Sequence, residues 1–263
     1  MKDKMRKVIL ITGATSGIGK ATAKRFAKNG FNLIITGRRK SKLKGLKKDL
    51  QLKFGINVLE LAFDVRKFAE CEKAINSIPK EFLDIDILFN NAGLASGLAP
   101  IHEGNIEDWE AMLDTNVKGL LYMTRLVSPL MVAKSKGHII NTCSTAGHEV
   151  YPNGNVYCAS KHAVEALSRA MRIDLHKSGI KVSQVSPGHV EETEFAKVRF
   201  HGDESKAKIY EDFNPLKSKD VAKMVYYIAT QPKHVNIQDV IMMGTQQANS
   251  NYIDRSGRKY DKL

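Results

Sequence analysis

The sequence predicts an α/β fold, a single domain built on a doubly wound parallel sheet of about seven strands. Three observations carry this expectation. Short runs rich in Val, Ile and Leu alternate with amphipathic stretches along the chain. The runs (VILIT, NLIIT, DILFN, HIINT) are apolar almost without interruption, as strands are when helices cover both faces of a sheet. At 263 residues the chain also has a length at which α/β folds commonly stay undivided.

The first strand, near 7–12, runs into a glycine turn and a helix over 17–29. A strand near 31–36 precedes a basic helix over 40–53, and a strand near 56–62 precedes a helix over 67–79. Then come a strand at 86–90, a long helix over 106–134, a strand at 137–142, a helix over 156–178 and a strand at 180–186. A helix over 218–230 and a strand at 238–243 complete the alternation. Right-handed crossovers distribute the helices over both faces. The stretch 191–217 breaks the pattern with mixed charges and four aromatics, Phe195, Phe200, Tyr210 and Phe213. We take about 189–217 as a lid within a domain spanning 1–245. Residues 246–263 read as a polar tail, either frayed or docked on a neighbouring subunit.

Hydrophobic residues at 43% and charged residues at 26% set aside collagen-like, low-complexity and disordered chains. No apolar run approaches the roughly 18 residues of a membrane span. The basic start MKDKMRK is followed by too short an apolar stretch for a secretory leader, so a cytoplasmic location is expected. Cys71, Cys143 and Cys158 form no CxxC pair and read as buried thiols, with no metal site expected. The net charge of +13 is concentrated, because residues 38–53 hold eight basic residues against Asp49 alone. That segment reads as a solvated helix, or as a face near an anionic small ligand. No zinc-finger spacing or aromatic RNA-binding signature accompanies it, so no nucleic-acid partner is expected.

The first strand ends in Thr12-Gly13-Ala14-Thr15-Ser16-Gly17-Ile18-Gly19. Gly13 allows a tight turn, Gly17 a close approach of backbone to a pyrophosphate, and Gly19 close packing of helix on sheet. The helix N-terminus then meets the phosphate charge. After the second strand the chain reads Thr36-Gly37-Arg38-Arg39, without the carboxylate that would hold a ribose 2′-hydroxyl. Guanidinium groups there favour a 2′-phosphate, so NADP is the expected cofactor, unless both arginines merely begin the basic helix. Asp64-Val65 and Asn90-Asn91-Ala92-Gly93 occupy the carboxyl ends of the third and fourth strands, where open α/β sheets bind ligands, although ordinary turn chemistry would use the same residues.

Tyr157 and Lys161 in Tyr157-Cys158-Ala159-Ser160-Lys161 lie one turn apart on one helical face. An ammonium there would favour the phenolate and lower the phenol's pKa, making a proton donor and acceptor near neutral pH. Ser144, just after the fifth strand, is placed to hydrogen-bond a substrate oxygen. For a substrate bearing a carboxylate, Arg199 is the cation we expect to meet it, unless it only pairs with Glu194 or Asp203 within the lid. His189 reads as a packed loop residue bordering the substrate rather than a base.

Thr12–Gly19, Asn90–Gly93, Asn116 within Asp114-Thr115-Asn116-Val117, Ser144, Tyr157, Lys161 and Pro187-Gly188 occur in an order and spacing that resemble the short-chain dehydrogenases/reductases over about residues 6–245. The resemblance implies a Rossmann fold and hydride transfer between a nicotinamide and an alcohol or carbonyl. It implies Tyr157 as acid/base, Lys161 as its activator and holder of the nicotinamide ribose, Ser144 as orienter of the substrate oxygen, and Asn116 as holder of a relay water. It further implies cofactor contacts from Gly13, Thr15, Ser16, Gly17, Ile18, Gly19, Arg38, Arg39, Asp64, Val65, Asn91, Ala92, Gly93, Pro187, Gly188, Val190 and Thr193.

The run Pro187-Gly188-His189-Val190-Glu191-Glu192-Thr193-Glu194-Phe195-Ala196-Lys197-Val198-Arg199-Phe200-His201-Gly202-Asp203 is similar to a segment of the NADP-dependent 3-hydroxy acid dehydrogenases, the group acting on serine and L-allo-threonine. That branch implies a homotetramer. The chain departs from it at His148, Glu149 and Val150, in a loop that shapes the pocket, and at His189. A general carbonyl or 3-ketoacyl reductase is the alternative within the family. A non-catalytic NADP-binding sensor would be expected to lack Tyr157, Lys161 or Ser144, and a nucleotide-sugar epimerase would need a longer C-terminal region.

Overall fold

The structure, a computed structural model, describes residues 6–261. Seven parallel strands form one sheet: β1 (Val8–Ile11), β2 (Asn32–Gly37), β3 (Val58–Ala62), β4 (Ile85–Asn90), β5 (Gly137–Thr142), β6 (Ile180–Pro187) and, at the far edge, a strand over Asp239–Met242. Their spatial order runs β3, β2, β1, β4, β5, β6 and that last strand. The order reverses between β1 and β4, which opens a crevice at the carboxyl ends of the strands.

The helices α1 (Gly17–Lys28), α2 (Lys40–Phe54), α3 (Phe68–Asn76), α4 (Ile106–Leu113), α5 (Gly119–Val132) and α6 (Asn155–Leu175) follow in the expected places. A two-residue strand β7 (Val190–Glu191), the short helix α7 (Phe195–Arg199) and a second short strand β8 (Leu216–Lys217) come next. Helix α8 (Ser218–Ala229) and β9 (Asp239–Met242) complete the order. Two cores sandwich the sheet. Ile9, Ile11 and Leu33 meet Phe26, Leu46 and Val225 from α1, α2 and α8 on one side. Val8, Leu10 and Ile34 meet Ile75, Met123 and Val164 from α3, α5 and α6 on the other. Side chains alternate across each strand, and both faces of the inner strands β1, β2, β4, β5 and β6 are buried, which is why those strands carry so few polar residues. In α2, Leu43, Leu46 and Leu50 are buried while the lysines between them face outward.

Three local features depart from the simple pattern. The long helix over 106–134 is interrupted by a π turn at Asp114–Lys118; the apolar positions Met112, Leu120, Met123 and Val127 keep an ordinary helical spacing across it, so the sequence gives no sign of the turn. The β1–β4 ladder shifts register between Val8 and Ile9, and the Asp86 carboxylate at that bulge accepts the Val8 N–H at 2.9 Å. The interrupted stretch after β6 carries its own two-stranded parallel pair, β7 with β8.

Over its described residues, 246–261, the tail packs on the body of the protein. Gln246 and Gln247 are buried, Gln247 forms an antiparallel bridge with Ile253, and the segment to Asp261 lies against the same chain. Among the described residues the three cysteines are buried free thiols, no helix is long and apolar enough to cross a membrane, and no cluster of metal-ligating side chains occurs.

Candidate active site

The glycine turn sits at the switch point and is clamped from β4. Thr12 Oγ1 accepts the N–H groups of Asn91 and Ala92, both at 2.9 Å, and the Asn91 amide donates to the Thr12 carbonyl at 2.9 Å. Gly13 and Gly17 take left-handed φ values of 66° and 49°. A Cβ on Gly19 would run into the Gly13 carbonyl and the Asn91 amide, so the helix can approach the turn only through glycine. Ile18 anchors α1 to the core. No acidic side chain occupies the first turn of α1, leaving its positive end free for phosphate.

Beside the turn, Arg39 donates from Nη2 to Thr15 Oγ1 at 2.7 Å and Ser16 Oγ at 3.0 Å. Its Nη1 meets Glu194 at 2.6 Å, and Lys42 meets the same carboxylate at 2.9 Å. Burial alone would raise the Glu194 carboxyl, but hydrogen bonds from Lys42 and Arg39 bring it down to about 2. An anion is therefore already welcome where hydroxyls, a guanidinium and an ammonium converge. That donor set fits the 2′-phosphate of NADP, whose charge would take the place the Glu194 carboxylate now holds between Arg39 and Lys42. Arg38 lies outward, 4.0 Å from Asp64, and Asp64 is claimed by Arg66 at 2.6 Å. Val65 is buried against Gly119. Thr193 lies over Gly17, whose Cβ would come within 3.2 Å of it, and Val190 is buried in the core between β6 and α8.

The π turn aims Asn116 inward. Its amide donates to the Leu94 carbonyl at 2.9 Å and Ser160 Oγ at 3.0 Å, while its oxygen accepts the Leu94 N–H at 2.9 Å. Gly93 lies against it, with room for a Cβ only 3.1 Å from Asn116 Oδ1 and 3.6 Å from Lys161 Nζ. Lys161 is buried and donates to the Thr142 carbonyl at 2.9 Å. Its ammonium lies 5.9 Å from the centre of the Tyr157 ring. Ser144 Oγ reaches the Pro187 carbonyl at 3.5 Å and faces the Tyr157 phenol. Asn116, Ser144, Tyr157 and Lys161 are thus brought together.

Burial dominates the electrostatics of this group. Burial pushes the Tyr157 phenol well above its usual range; Ser144 and the Arg199 cation pull it back only in part. Lys161 is itself driven below the ordinary lysine value by burial. In the protein alone, desolvation therefore outweighs the neighbouring positive charge.

Arg199, on α7, is 8% exposed. Its guanidinium stacks over Tyr151 at 5.3 Å and Tyr157 at 5.7 Å, and Nε and Nη2 have no partner. It pairs with neither lid acid, since Glu194 is held by Arg39 and Lys42 and Asp203 is turned to Ser205 and Lys206. A cavity of about 110 Å³ has Tyr157, Arg199, Ser96, Asn155, Trp109 and Met112 among its walls. His189 is not among those walls. Its ring packs edge-on against Tyr210 and Phe213 at 5.8 and 5.6 Å, and burial lowers its pKa, favouring the neutral ring. Sequence reasoning missed Tyr151, which stacks on Arg199, Phe195, which packs edge-on at 5.7 Å against Tyr157, and Gln247, which lies against Gly188. The one signal in the sequence was the aromatic character of Phe195 in the stretch that breaks the strand–helix alternation.

A parallel sheet with a dinucleotide cradle at its switch point, and a buried phenol one helical turn from an ammonium, defines the class of nucleotide-dependent oxidoreductases. The chain belongs to the short chain dehydrogenase family, whose profile matches residues 7–204. It is 49% identical over 242 residues, 92% of this chain and 96% of the relative, to an NADP-dependent 3-hydroxy acid dehydrogenase of Salmonella typhi. It is 43% identical over 245 residues, 93% of this chain and 96% of the relative, to a serine 3-dehydrogenase of Agrobacterium fabrum. The closed form of a serine dehydrogenase complexed with NADP+ superposes with a TM-score of 0.89 at 45% identity, covering 92% of this chain and 97% of that one.

Proposed function

We propose that this protein is an NADP-dependent dehydrogenase that interconverts the alcohol of a small 3-hydroxy acid, such as serine or L-allo-threonine, with the corresponding carbonyl. The observation that carries the substrate class is Arg199, a buried guanidinium with two unpartnered donors in the wall of the cavity that also holds Tyr157. A carboxylate supplies both the charge and the paired acceptors it lacks. A cavity of about 110 Å³ suits a small acid better than a long acyl chain.

In this reading Tyr157 Oη exchanges a proton with the reacting oxygen, and the Ser144 hydroxyl orients that oxygen. Lys161 holds the nicotinamide ribose and stabilises the phenolate by its charge, while Asn116 orders a water on the route by which the proton reaches solvent. NADP, when bound, supplies the hydride acceptor or donor. Gly13, Thr15, Ser16, Gly17, Ile18, Gly19 and Arg39 cradle its phosphates, with Arg38 at the rim. Asp64 and Val65 flank the adenine, and Asn91, Ala92 and Gly93 form the floor of the cleft. Pro187, Gly188, Val190 and Thr193 close it, His189 backs the substrate pocket without entering it, and residues 189–217 act as the lid. The same reading places the enzyme in the cytoplasm as a homotetramer, for which the exposed Leu113, Leu121 and Ile173 supply apolar contact surface.

Initial rates with NADP and NAD across L-serine, L-allo-threonine, 3-hydroxypropionate and a simple secondary alcohol test the proposal. Turnover of the hydroxy acids with NADP, lost in Tyr157→Phe while NADPH still binds, is expected. Reduction of 3-ketoacyl thioesters or diketones with no oxidation of any hydroxy acid would overturn the substrate class and leave the family standing.

A further inference from the structure

The carboxylate held at the cofactor cleft by Arg39 and Lys42 belongs to the lid. Glu194 accepts Arg39 Nη1 at 2.6 Å and Lys42 Nζ at 2.9 Å. The other guanidinium nitrogens are also engaged, Nε with Thr15 Oγ1 at 3.1 Å and Nη2 with Thr15 Oγ1 and Ser16 Oγ at 2.7 and 3.0 Å. A phosphate can therefore take Nη1 and the Lys42 ammonium only by exchange with this carboxylate. The Glu194 side chain is 40% exposed, so water is at hand to receive it once displaced. Glu194 also fixes the start of the lid helix, as the residue immediately before α7. Within the next five residues Phe195 packs on the Tyr157 ring at 5.7 Å, Ala196 is buried, and the Arg199 carbonyl accepts the Gly97 N–H at 2.9 Å. Ahead of it the chain turns at Glu192 with a left-handed φ of 59°, a conformation that a non-glycine residue holds only where its surroundings impose it.

We propose that Glu194 is a built-in occupant of the 2′-phosphate subsite: its carboxylate competes with the 2′-phosphate of the cofactor for Arg39 and Lys42, and its displacement unfastens the start of the lid. The two cations are then met by an anion in either state, by the carboxylate when the subsite is empty and by phosphate when it is filled, and never face each other bare. Because the carboxylate is tethered beside them, it re-enters at a high effective concentration as the nucleotide leaves. Glu194 thereby lowers the affinity for a 2′-phosphorylated nucleotide and leaves an unphosphorylated one untouched, which makes it a specificity-determining residue that acts on binding alone. The inference rests on the placement of the 2′-phosphate at Arg39 and is independent of the substrate class.

Calorimetry with 2′,5′-ADP and 5′-AMP, and limited trypsin digestion at the exposed lid residues Lys197, Lys206 and Lys208, test the two halves. Glu194→Gln keeps the shape of the side chain and removes its charge. It is expected to bind 2′,5′-ADP about tenfold more tightly than the wild type and 5′-AMP equally well, since the carboxylate gives up two partly exposed ion pairs on exchange. Because 2′,5′-ADP carries no nicotinamide, it acts on the lid from this end alone. Saturating the wild type with it should speed lid cleavage, followed by fragment mass, about fivefold, whereas Glu194→Gln should be cut at the faster rate with or without it. Unchanged or weaker 2′,5′-ADP binding in Glu194→Gln would mean that the carboxylate positions Arg39 instead of competing for it. Equal tightening of both nucleotides would reduce Glu194 to a general negative charge, and wild-type cleavage indifferent to 2′,5′-ADP would mean that the lid is fastened elsewhere. Each of these overturns the proposal. Should Glu194→Gln not fold, Glu194→Ala poses the same question with the side chain removed. Arg39→Ala tests the premise separately: if it binds both nucleotides as the wild type does, the placement of the 2′-phosphate fails, whatever Glu194→Gln shows.

Discussion

Arg199→Met should make the protein more stable and a poorer hydroxy-acid dehydrogenase at once. The guanidinium is 8% exposed and leaves Nε and Nη2 without partners, and an uncompensated buried charge costs several kcal/mol. Stacking on Tyr151 and Tyr157 offsets part of this, at about 1 kcal/mol for each contact. Methionine fills much of the volume without the charge, so the net gain is about 2 kcal/mol, or about 4 °C in melting temperature for a chain of this size. Against that, a substrate carboxylate loses two charge-assisted hydrogen bonds, together worth about 3 kcal/mol after non-additivity. This corresponds to a fall of about 100-fold in kcat/KM for the acid, with NADPH affinity unchanged. Thermal unfolding followed by circular dichroism, with initial rates on L-serine and on an uncharged alcohol, reads both effects. A variant that melts several degrees lower and keeps its rate on the acid would show Arg199 to be a structural residue, and would remove the observation on which the substrate class rests.

Two further outcomes follow from the cofactor end. Arg39→Ala should weaken binding of 2′,5′-ADP by about tenfold or more and leave 5′-AMP nearly unaffected if the guanidinium that reaches Thr15 and Ser16 is the group that takes the 2′-phosphate, as proposed; equal losses for the two nucleotides, measured by calorimetry, would contradict that placement. Glu194→Gln tests the acid limb of stability. The carboxyl lies near 4.5 when unfolded and is brought down to about 2 by Lys42 and Arg39 in the folded chain, so its contribution is complete above about 4.5 and disappears as pH falls toward 2. The difference in melting temperature between wild type and variant should therefore be widest at neutral pH, close across that window, and shrink with added salt because the ion pair is partly exposed.

The sheet was legible because its physics is repetitive. Burial of both faces turns each strand into an apolar run, and glycines at 13, 17 and 19 mark the first crossover. The gathering of Ser144, Tyr157 and Lys161 could be anticipated because two of them lie on one helical face and the third at a strand end beside it. What escaped depends on contacts between distant parts of the chain. Glu194 stood as one alternative partner for Arg199, five residues away, whereas it reaches Arg39, 155 residues away in sequence. The raised pKa of Tyr157 likewise reflects enclosure by the lid and loop, which no i,i+4 spacing reports. The bulge at Asp86 and the hold of Gln247 on the His189 N–H at 3.0 Å are matters of tertiary fit. Side-chain pattern carries no mark of either.

The π turn between α4 and α5 places a restriction on the length of this segment. In an α-helix each residue advances the side chains by 100°, so one surplus residue swings everything beyond it by about that angle. Met112 before the turn and Leu120, Met123 and Val127 after it are all buried with the surplus residue in place. Deleting one residue at 114–118 would regularise the hydrogen-bond ladder, rotate the apolar stripe of α5 away from the sheet and carry Asn116 off Leu94 and Ser160. Over Ile106–Val132, variation should be tolerated in residue identity far more readily than in residue number.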